Sequence, residues 1–97
     1  MITISRTSNG IKIRGHAEFA ELGKDIVCAG ISALVQTLIQ SIEELTADSI
    51  QYDMQPGTVD IEFGDLSEEA QLLINSFFIG AEMIANDYPY NVQLTEL

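Results

Sequence analysis

Residues 25–45 read DIVCAGISALVQTLIQSIEEL, and this stretch decides the fold because it places one long helix between two hairpin patterns. Its apolar residues recur at helical spacing, namely Val27, Ile31, Leu34, Leu38, Ile42 and Leu45. Asp25 stands immediately before this run and is a favourable N-cap, which places Cys28 in the first helical turn. A helix of about 20 residues is about 30 Å long, enough to cross one face of a small sheet.

Two hairpin patterns flank this helix. On its N-terminal side, Ile2 and Ile4 alternate with polar residues, TSNG follows at residues 7–10, and alternation resumes in residues 11–14. On its C-terminal side, residues 49–63 read SIQYDMQPGTVDIEF, in which Pro56-Gly57 supplies the turn between two alternating segments. Both patterns predict paired strands with one apolar face.

A second helix and a last strand complete the chain. Ser67 is the expected N-cap of a helix that reads SEEAQLLINSFFIGAEMIAN, and residues 91–97, NVQLTEL, predict a short strand. The resulting order is ββαββαβ, and we expect a single α+β domain over residues 1–97 with two long helices on a sheet. Apolar residues surround most of the second helix, which indicates either a homodimer interface or a tightly buried central helix.

Charge is distributed unevenly along the sequence. The chain has 15 acidic and four basic residues, for a net charge of -11, and all four basic residues lie within the first 24 positions. This balance repels nucleic acid and would attract a basic peptide or protein. A solvated acidic surface that aids solubility is the simpler interpretation.

Compartment and cofactors are bounded by a few absences in the sequence. No apolar run reaches the roughly 18 residues that a membrane helix needs, and residues 1–10 lack a signal-peptide core. A single cysteine excludes an intramolecular disulfide, so we expect a reducing cytoplasm. One histidine, one cysteine and scattered acids do not form a metal-ligand pattern, and no glycine-rich phosphate loop is present, so we expect no metal and no cofactor.

The one histidine and the one cysteine lie close together, at His16 and Cys28. A cysteine in the first turn of a helix has unpaired N–H groups and the positive end of the helix dipole beside it, and both favour a thiolate. A histidine at the end of the neighbouring strand could accept the thiol proton, and the same N–H groups could bind an oxyanion. Asp25 could either cap the helix or orient His16, and Ser32 lies one helical turn beyond Cys28.

Three interpretations of this pair stay open on spacing alone. The first is a cysteine endopeptidase. The second is a non-catalytic homodimeric module that binds a basic protein, with His16 and Cys28 inert. The third is a redox sensor that uses a reactive thiol without a resolving partner.

The segment Gly15-His16-Ala17, followed by Gly23-Lys24-Asp25 and then Ile26-Val27-Cys28-Ala29-Gly30-Ile31-Ser32, resembles the ribosomal-processing cysteine protease family. The twelve-residue step from His16 to Cys28 agrees with the family pattern. Gly30 departs from it, because alanine is more frequent there.

The resemblance implies a small α+β homodimer that removes an N-terminal extension from a large-subunit ribosomal protein, or acts on a phage capsid or scaffold precursor. The cut would follow a short apolar stretch that ends in aromatic residues. The resemblance also implies that Cys28 is the nucleophile and His16 the general base. Asp25 and Ser32 would support them, and Gly15 and Gly23 would shape the intervening loop.

Overall fold

The computed structural model describes residues 1–21 and 23–96. Leu22, in the predicted loop, and Leu97, at the end of the predicted last strand, lie outside the described residues. The elements in chain order are β1 (Ile2–Thr7), β2 (Gly10–Arg14), α1 (Ile26–Leu45), β3 (Gln51–Gln55), β4 (Thr58–Glu62), α2 (Glu68–Asp87) and β5 (Val92–Glu96). The predicted ββαββαβ order and the α+β class are confirmed.

The five strands form one sheet in the order β3-β4-β2-β1-β5. All neighbouring strands are antiparallel except β1 and β5, which pair in parallel with Ile4 opposite Leu94. The first and last strands are therefore neighbours, and the β3–β4 hairpin lies on the other side of β2. This arrangement brings the end of β2, the start of α1 and the β3–β4 turn to one corner of the molecule.

A single core lies between the sheet and both helices. Alternate residues of the central strands are buried, including Ile4, Ile11 and Ile61. In β2 the alternating positions Lys12 and Arg14 are exposed. From α1 the buried residues are Val27, Ile31, Val35, Leu38, Ile39 and Ile42. Leu45, which the helical spacing included in the apolar stripe, is 71% exposed and is the last residue of α1.

The two helices approach each other at two glycines. A Cβ on Gly30 would lie 3.3 Å from Cδ1 of Ile84, and a Cβ on Gly80 would lie 3.1 Å from Cδ2 of Leu34. Each glycine thus leaves space for one apolar side chain of the facing helix. Gly30 therefore contacts α2, and its missing side chain serves helix packing.

The expected excess of apolar residues on α2 is visible on its surface. Leu72, Ile79 and Met83 are 69%, 64% and 64% exposed, whereas Phe77 is buried. Phe78 is half-buried, and the Arg6 guanidinium lies 4.8 Å from the centroid of its ring. The apolar residues of α2 therefore do not all face the core.

Helix α1 corrects one sequence expectation. It is long and apolar enough, by length and composition, to cross a membrane, whereas no apolar run of that length was expected from the sequence. The core helix of a soluble protein passes the same test, and six residues of α1 lie in the core described above.

Candidate active site

Asp25 is the N-cap of α1, as its position in the sequence predicted. One carboxylate oxygen, Oδ1, accepts hydrogen bonds from the backbone N–H groups of Val27 and Cys28, both at 3.0 Å. The other, Oδ2, accepts from the backbone N–H groups of Phe19 at 3.0 Å and Ala20 at 3.3 Å. The Cys28 N–H contributes most to lowering the pKa of the Asp25 carboxyl below its ordinary value of 3.8, while burial opposes this shift. Asp25 therefore fastens the loop to the start of the helix.

This geometry separates the two roles that the sequence left open for Asp25. Its four carboxylate hydrogen bonds come from backbone N–H groups, and none within the described residues comes from His16. The N–H groups of Val27, Cys28 and Ala29 all donate to Asp25, to its side chain or its carbonyl. These three N–H groups are thus engaged by the cap residue, and binding of an oxyanion at the start of α1 stays a prediction.

Cys28 is the third residue of α1 and is half-buried. Its Sγ accepts a hydrogen bond from the backbone N–H of Ala17, at 3.3 Å. Ala17 directly follows His16, so the sulfur lies against the backbone of the histidine segment. The sulfur is also at the N-terminal end of a 20-residue helix, where the helix dipole is positive.

His16 follows the end of β2 and is exposed. Its carbonyl oxygen accepts a hydrogen bond from the terminal ammonium of Met1 at 2.7 Å. Its imidazole lies against the β3–β4 turn, and a Cβ on Gly57 would be only 3.0 Å from Nε2. The Gly57 carbonyl accepts from the Gly15 N–H at 2.9 Å, which ties this turn to the residue before His16.

Gly15 has a φ of 93°, and a Cβ there would collide with the carbonyl oxygen of Met1. Only glycine therefore fits this position without a backbone shift. Gly15 therefore shapes the chain immediately before His16. Gly23 also has a positive φ, of 88°, but no atom lies within 4 Å of the position its Cβ would take.

Two cavities open beside Cys28 and His16, and we name them by their walls. The hairpin cavity, about 280 Å³, lies between α1 and the β3–β4 hairpin, and its apolar lining includes Ile13, Ile31, Val35, Met54 and Val59. The loop cavity, about 610 Å³, lies on the side of the intervening loop, and its lining includes Glu18, Ala20, Gly23 and Asp25. Cys28, His16, Ser32 and Pro56 border both cavities, so the thiol and the imidazole lie in a cleft that extends in two directions.

The six residues singled out in the sequence all reach this cleft. His16, Cys28 and Ser32 border both cavities, Gly15 borders the hairpin cavity, and Asp25 and Gly23 border the loop cavity. Residues 1–21 and 23–96 contain no cluster of three or more histidine, cysteine, aspartate or glutamate side chains that could hold a metal ion.

Sequence reasoning missed three groups at this corner. Gly57 was interpreted only as a turn residue, although it also supports the imidazole. The Ala17 N–H and the Asn91 side chain, which donates to the Ala17 carbonyl at 2.9 Å, were not considered. Ala17 and Asn91 are 74 positions apart in the sequence, so no local pattern indicates their contact.

A cysteine at the start of a helix and a histidine at the end of the adjacent strand, together in one cleft, form the type of site found in cysteine proteases. The chain belongs to the family described as cysteine protease Prp, whose sequence model matches residues 1–93. The predicted family and the predicted enzyme class, a cysteine protease, are thereby confirmed, which decides against the non-catalytic module.

Related chains and structures cover almost the whole molecule. Ribosomal processing cysteine protease Prp of Staphylococcus aureus is 34% identical over 103 residues, and the match covers 97% of both chains. The protein of the same name from Bacillus subtilis is 33% identical, over 87% of this chain and 81% of the relative. The crystal structure of S. aureus Prp with a covalently linked product peptide has a TM-score of 0.95 at 29% identity and covers both chains completely. A structure of that enzyme with a substrate peptide has a TM-score of 0.88 at 28% identity.

Proposed function

We propose that this protein is a cytoplasmic endopeptidase that removes an N-terminal extension from a large-subunit ribosomal protein precursor, with Cys28 as nucleophile and His16 as general base. The observation that carries the proposal is the position of Cys28 Sγ. It accepts a hydrogen bond from the Ala17 N–H and lies in the same cleft as His16. The names of the relatives support the ribosomal substrate.

In the first step, His16 takes the thiol proton and the Cys28 thiolate attacks the carbonyl carbon of the scissile peptide bond. The Ala17 N–H and the positive end of the α1 dipole stabilise the negatively charged sulfur before the attack. A C–S bond forms, and the carbonyl oxygen becomes an oxyanion. The oxyanion then re-forms the carbonyl double bond as the C–N bond breaks, and the protonated imidazole donates its proton to the leaving amine nitrogen.

This step leaves the N-terminal extension on Cys28 as a thioester and releases the processed protein with a new amino terminus. Neutral His16 then deprotonates a water molecule, which attacks the thioester carbonyl. The C–S bond breaks, the sulfur recovers a proton, and the extension leaves with a free carboxylate. The product peptide that is covalently linked in the S. aureus relative supports an intermediate of this kind.

The remaining site residues support the reacting groups in this mechanism. Asp25 holds the loop to the start of α1 through four N–H groups, and this fixes Cys28 and the chain after His16. Gly15 permits the backbone bend before His16, and Gly23 the positive φ in the loop. Ser32, exposed on the border of both cavities, contacts the bound peptide.

Charge and lining support a substrate that is apolar in one part and basic in another. The apolar lining of the hairpin cavity suits the short apolar stretch of such an extension. From Asp25 onward the chain has thirteen acidic residues and no basic one, which favours the lysine- and arginine-rich body of a ribosomal protein. The same charge disfavours direct binding of nucleic acid.

We propose in addition that the protein is a homodimer that buries the exposed apolar residues of α2. Leu72, Ile79 and Met83 are each more than three-fifths exposed, and a symmetric dimer covers the same patch twice. The change Ile79→Asp should therefore convert a dimer to a monomer or an aggregate, as measured by sedimentation at micromolar concentration. A wild-type chain that sediments as a 10.6 kDa monomer would contradict the dimer.

The decisive experiment is mass spectrometry of ribosomal protein precursors after incubation with the enzyme. We expect wild-type protein to remove an N-terminal extension from one large-subunit precursor, and Cys28→Ala to remain folded without activity. Residual activity above about 1% of wild type would contradict covalent catalysis by Cys28, because loss of a nucleophile costs several orders of magnitude. Cleavage of a phage capsid or scaffold precursor instead of a ribosomal one would refute the proposed substrate and leave the mechanism standing.

A further inference from the structure

We infer that Asn91 is a positioning residue of this active site, because its side chain holds Ala17 so that the Ala17 N–H faces the sulfur of Cys28. The inference rests on the proposed role of Cys28. Asn91 precedes β5, far along the chain from the histidine and cysteine segments. It borders neither cavity, so it acts through Ala17 and has no contact with the substrate sites.

The backbone of Asn91 is fixed on both sides. Its N–H donates to the carbonyl of Tyr88 at 3.0 Å, and its carbonyl accepts from the N–H of Ile2 at 2.8 Å. These two bonds connect the end of α2 to the first residue of β1. The side-chain amide of Asn91 is thereby held in place, and it donates to the Ala17 carbonyl at 2.9 Å.

Ala17 is held from two directions. Its N–H donates to Cys28 Sγ at 3.3 Å, its carbonyl accepts from Asn91, and only 1% of its surface is exposed. The next residue, Glu18, has a φ of 57° and is the one described non-glycine residue with a positive φ. The chain therefore turns sharply after Ala17, and the bond from Asn91 secures the carbonyl at the start of this turn.

Loss of this bond has a specific consequence for the sulfur. Without a partner in the protein, the carbonyl of buried Ala17 turns toward water, and the backbone of Ala17 rotates with it. The Ala17 N–H then loses its alignment with Sγ, and hydrogen bonds weaken steeply as their geometry departs from linear. The thiolate loses a donor, whereas the two cavities that bind peptide keep their walls. The expected signature is a lower kcat at an unchanged KM.

The test compares Asn91→Ala and Asn91→Asp with Asn75→Ala. Aspartate keeps the shape of Asn91 but cannot donate to a carbonyl when ionised, so it separates donation from packing. Asn75 is an exposed residue of α2 that accepts a hydrogen bond from Arg6, and it provides a matched asparagine outside the site. Three quantities are measured: kcat and KM on a precursor peptide, the rate of Cys28 alkylation by iodoacetamide, and hydrogen exchange of the Ala17 amide.

We expect both Asn91 variants to lose roughly 2- to 10-fold in kcat, the ratio that corresponds to one net hydrogen bond. KM stays at the wild-type value, alkylation slows, and the Ala17 amide exchanges faster, whereas Asn75→Ala matches wild type in all three measurements. An Asn91→Ala enzyme with the wild-type kcat and the wild-type rate of Cys28 alkylation would overturn the inference. The proposed function would not fall with it, because Cys28→Ala tests that function separately. The inference would also be overturned if the variants lost activity only in proportion to the protein that fails to fold, and the folded fraction were alkylated at the wild-type rate.

Discussion

Gly57 is the position where one added methyl group should test the support of His16 most directly. In Gly57→Ala, the new Cβ would lie 3.0 Å from Nε2 of the imidazole. Contacts of a Cβ atom are seldom this short, so the ring must move by a few tenths of an ångström. A misplacement of about 1 Å at a catalytic group can cost about 100-fold in rate, so for this smaller shift we expect kcat to fall roughly 3- to 10-fold.

A second cost arises from the backbone of Gly57. Its φ of 75° lies in the left-handed region, where alanine is less stable than glycine by about 1 kcal/mol. We therefore expect a lower midpoint in urea unfolding together with the lower kcat. Gly64→Ala is the control, because its Cβ would have no atom within 4 Å and its φ is not positive, and it should change neither quantity.

The assay is steady-state cleavage of a precursor peptide by protein that circular dichroism shows to be folded. A Gly57→Ala enzyme that keeps more than half of the wild-type kcat would refute the reasoning, because the imidazole would then tolerate the displacement. Loss of stability without loss of kcat would show that Gly57 is required for the turn and does not position His16.

Two further predictions concern the helices and the cap. Gly30→Ala should stabilise the protein by about 0.5 kcal/mol, because the helical preference of alanine, about 1 kcal/mol, outweighs a contact with one flexible methyl group. Gly80→Ala should instead destabilise it by about 1 kcal/mol, because both methyl groups of Leu34 lie within 3.2 Å of the new Cβ and overpacking costs about 1–3 kcal/mol; the opposite order of urea midpoints would show that these contacts do not decide stability. Asp25→Asn should lower the free energy of unfolding at neutral pH. The amide nitrogen of asparagine replaces one carboxylate oxygen and cannot accept the two hydrogen bonds that this oxygen accepts. The folded-state pKa of Asp25 lies below its ordinary 3.8, so the stability that ionisation contributes is complete above pH 3.8 and is lost as pH falls through the lower folded-state pKa. If the free energies of unfolding of wild type and Asp25→Asn differed by the same amount at every pH down to full protonation, this account would be contradicted.

The parts of the fold that local chemistry controls could be predicted from the sequence. Asp25 and Ser67 precede apolar helical patterns, and both cap helices in the structure. The hairpins follow from alternation around the turn signals at residues 7–10 and Pro56-Gly57. The parallel pairing of β1 with β5 could not be predicted, because nothing near residues 2 or 92 indicates which strands become neighbours.

The same distinction applies to the active site. Cys28 and His16 could be identified because a helix start and a strand end each have a local signature. Asp25 had two possible roles in sequence, and only its four N–H partners decide that it is a cap. Gly57 and Asn91 act through tertiary contacts with His16 and Ala17, and a single sequence contains no record of such contacts.

The parallel pairing of the first and last strands has a consequence for the order in which the enzyme is made. A ribosome exposes the histidine and cysteine segments long before residues 91–96, and β1 lacks its outer neighbour until those residues are available. The Ala17 carbonyl likewise lacks its hydrogen-bond donor until Asn91 has been synthesised. Contacts between residues so far apart in sequence form late and slowly during folding. The pairing of β1 with β5 and the hydrogen bond from Asn91 to Ala17 therefore form only after synthesis has reached residues 91–96, so the support of the Cys28 corner is the last part of the fold to be completed.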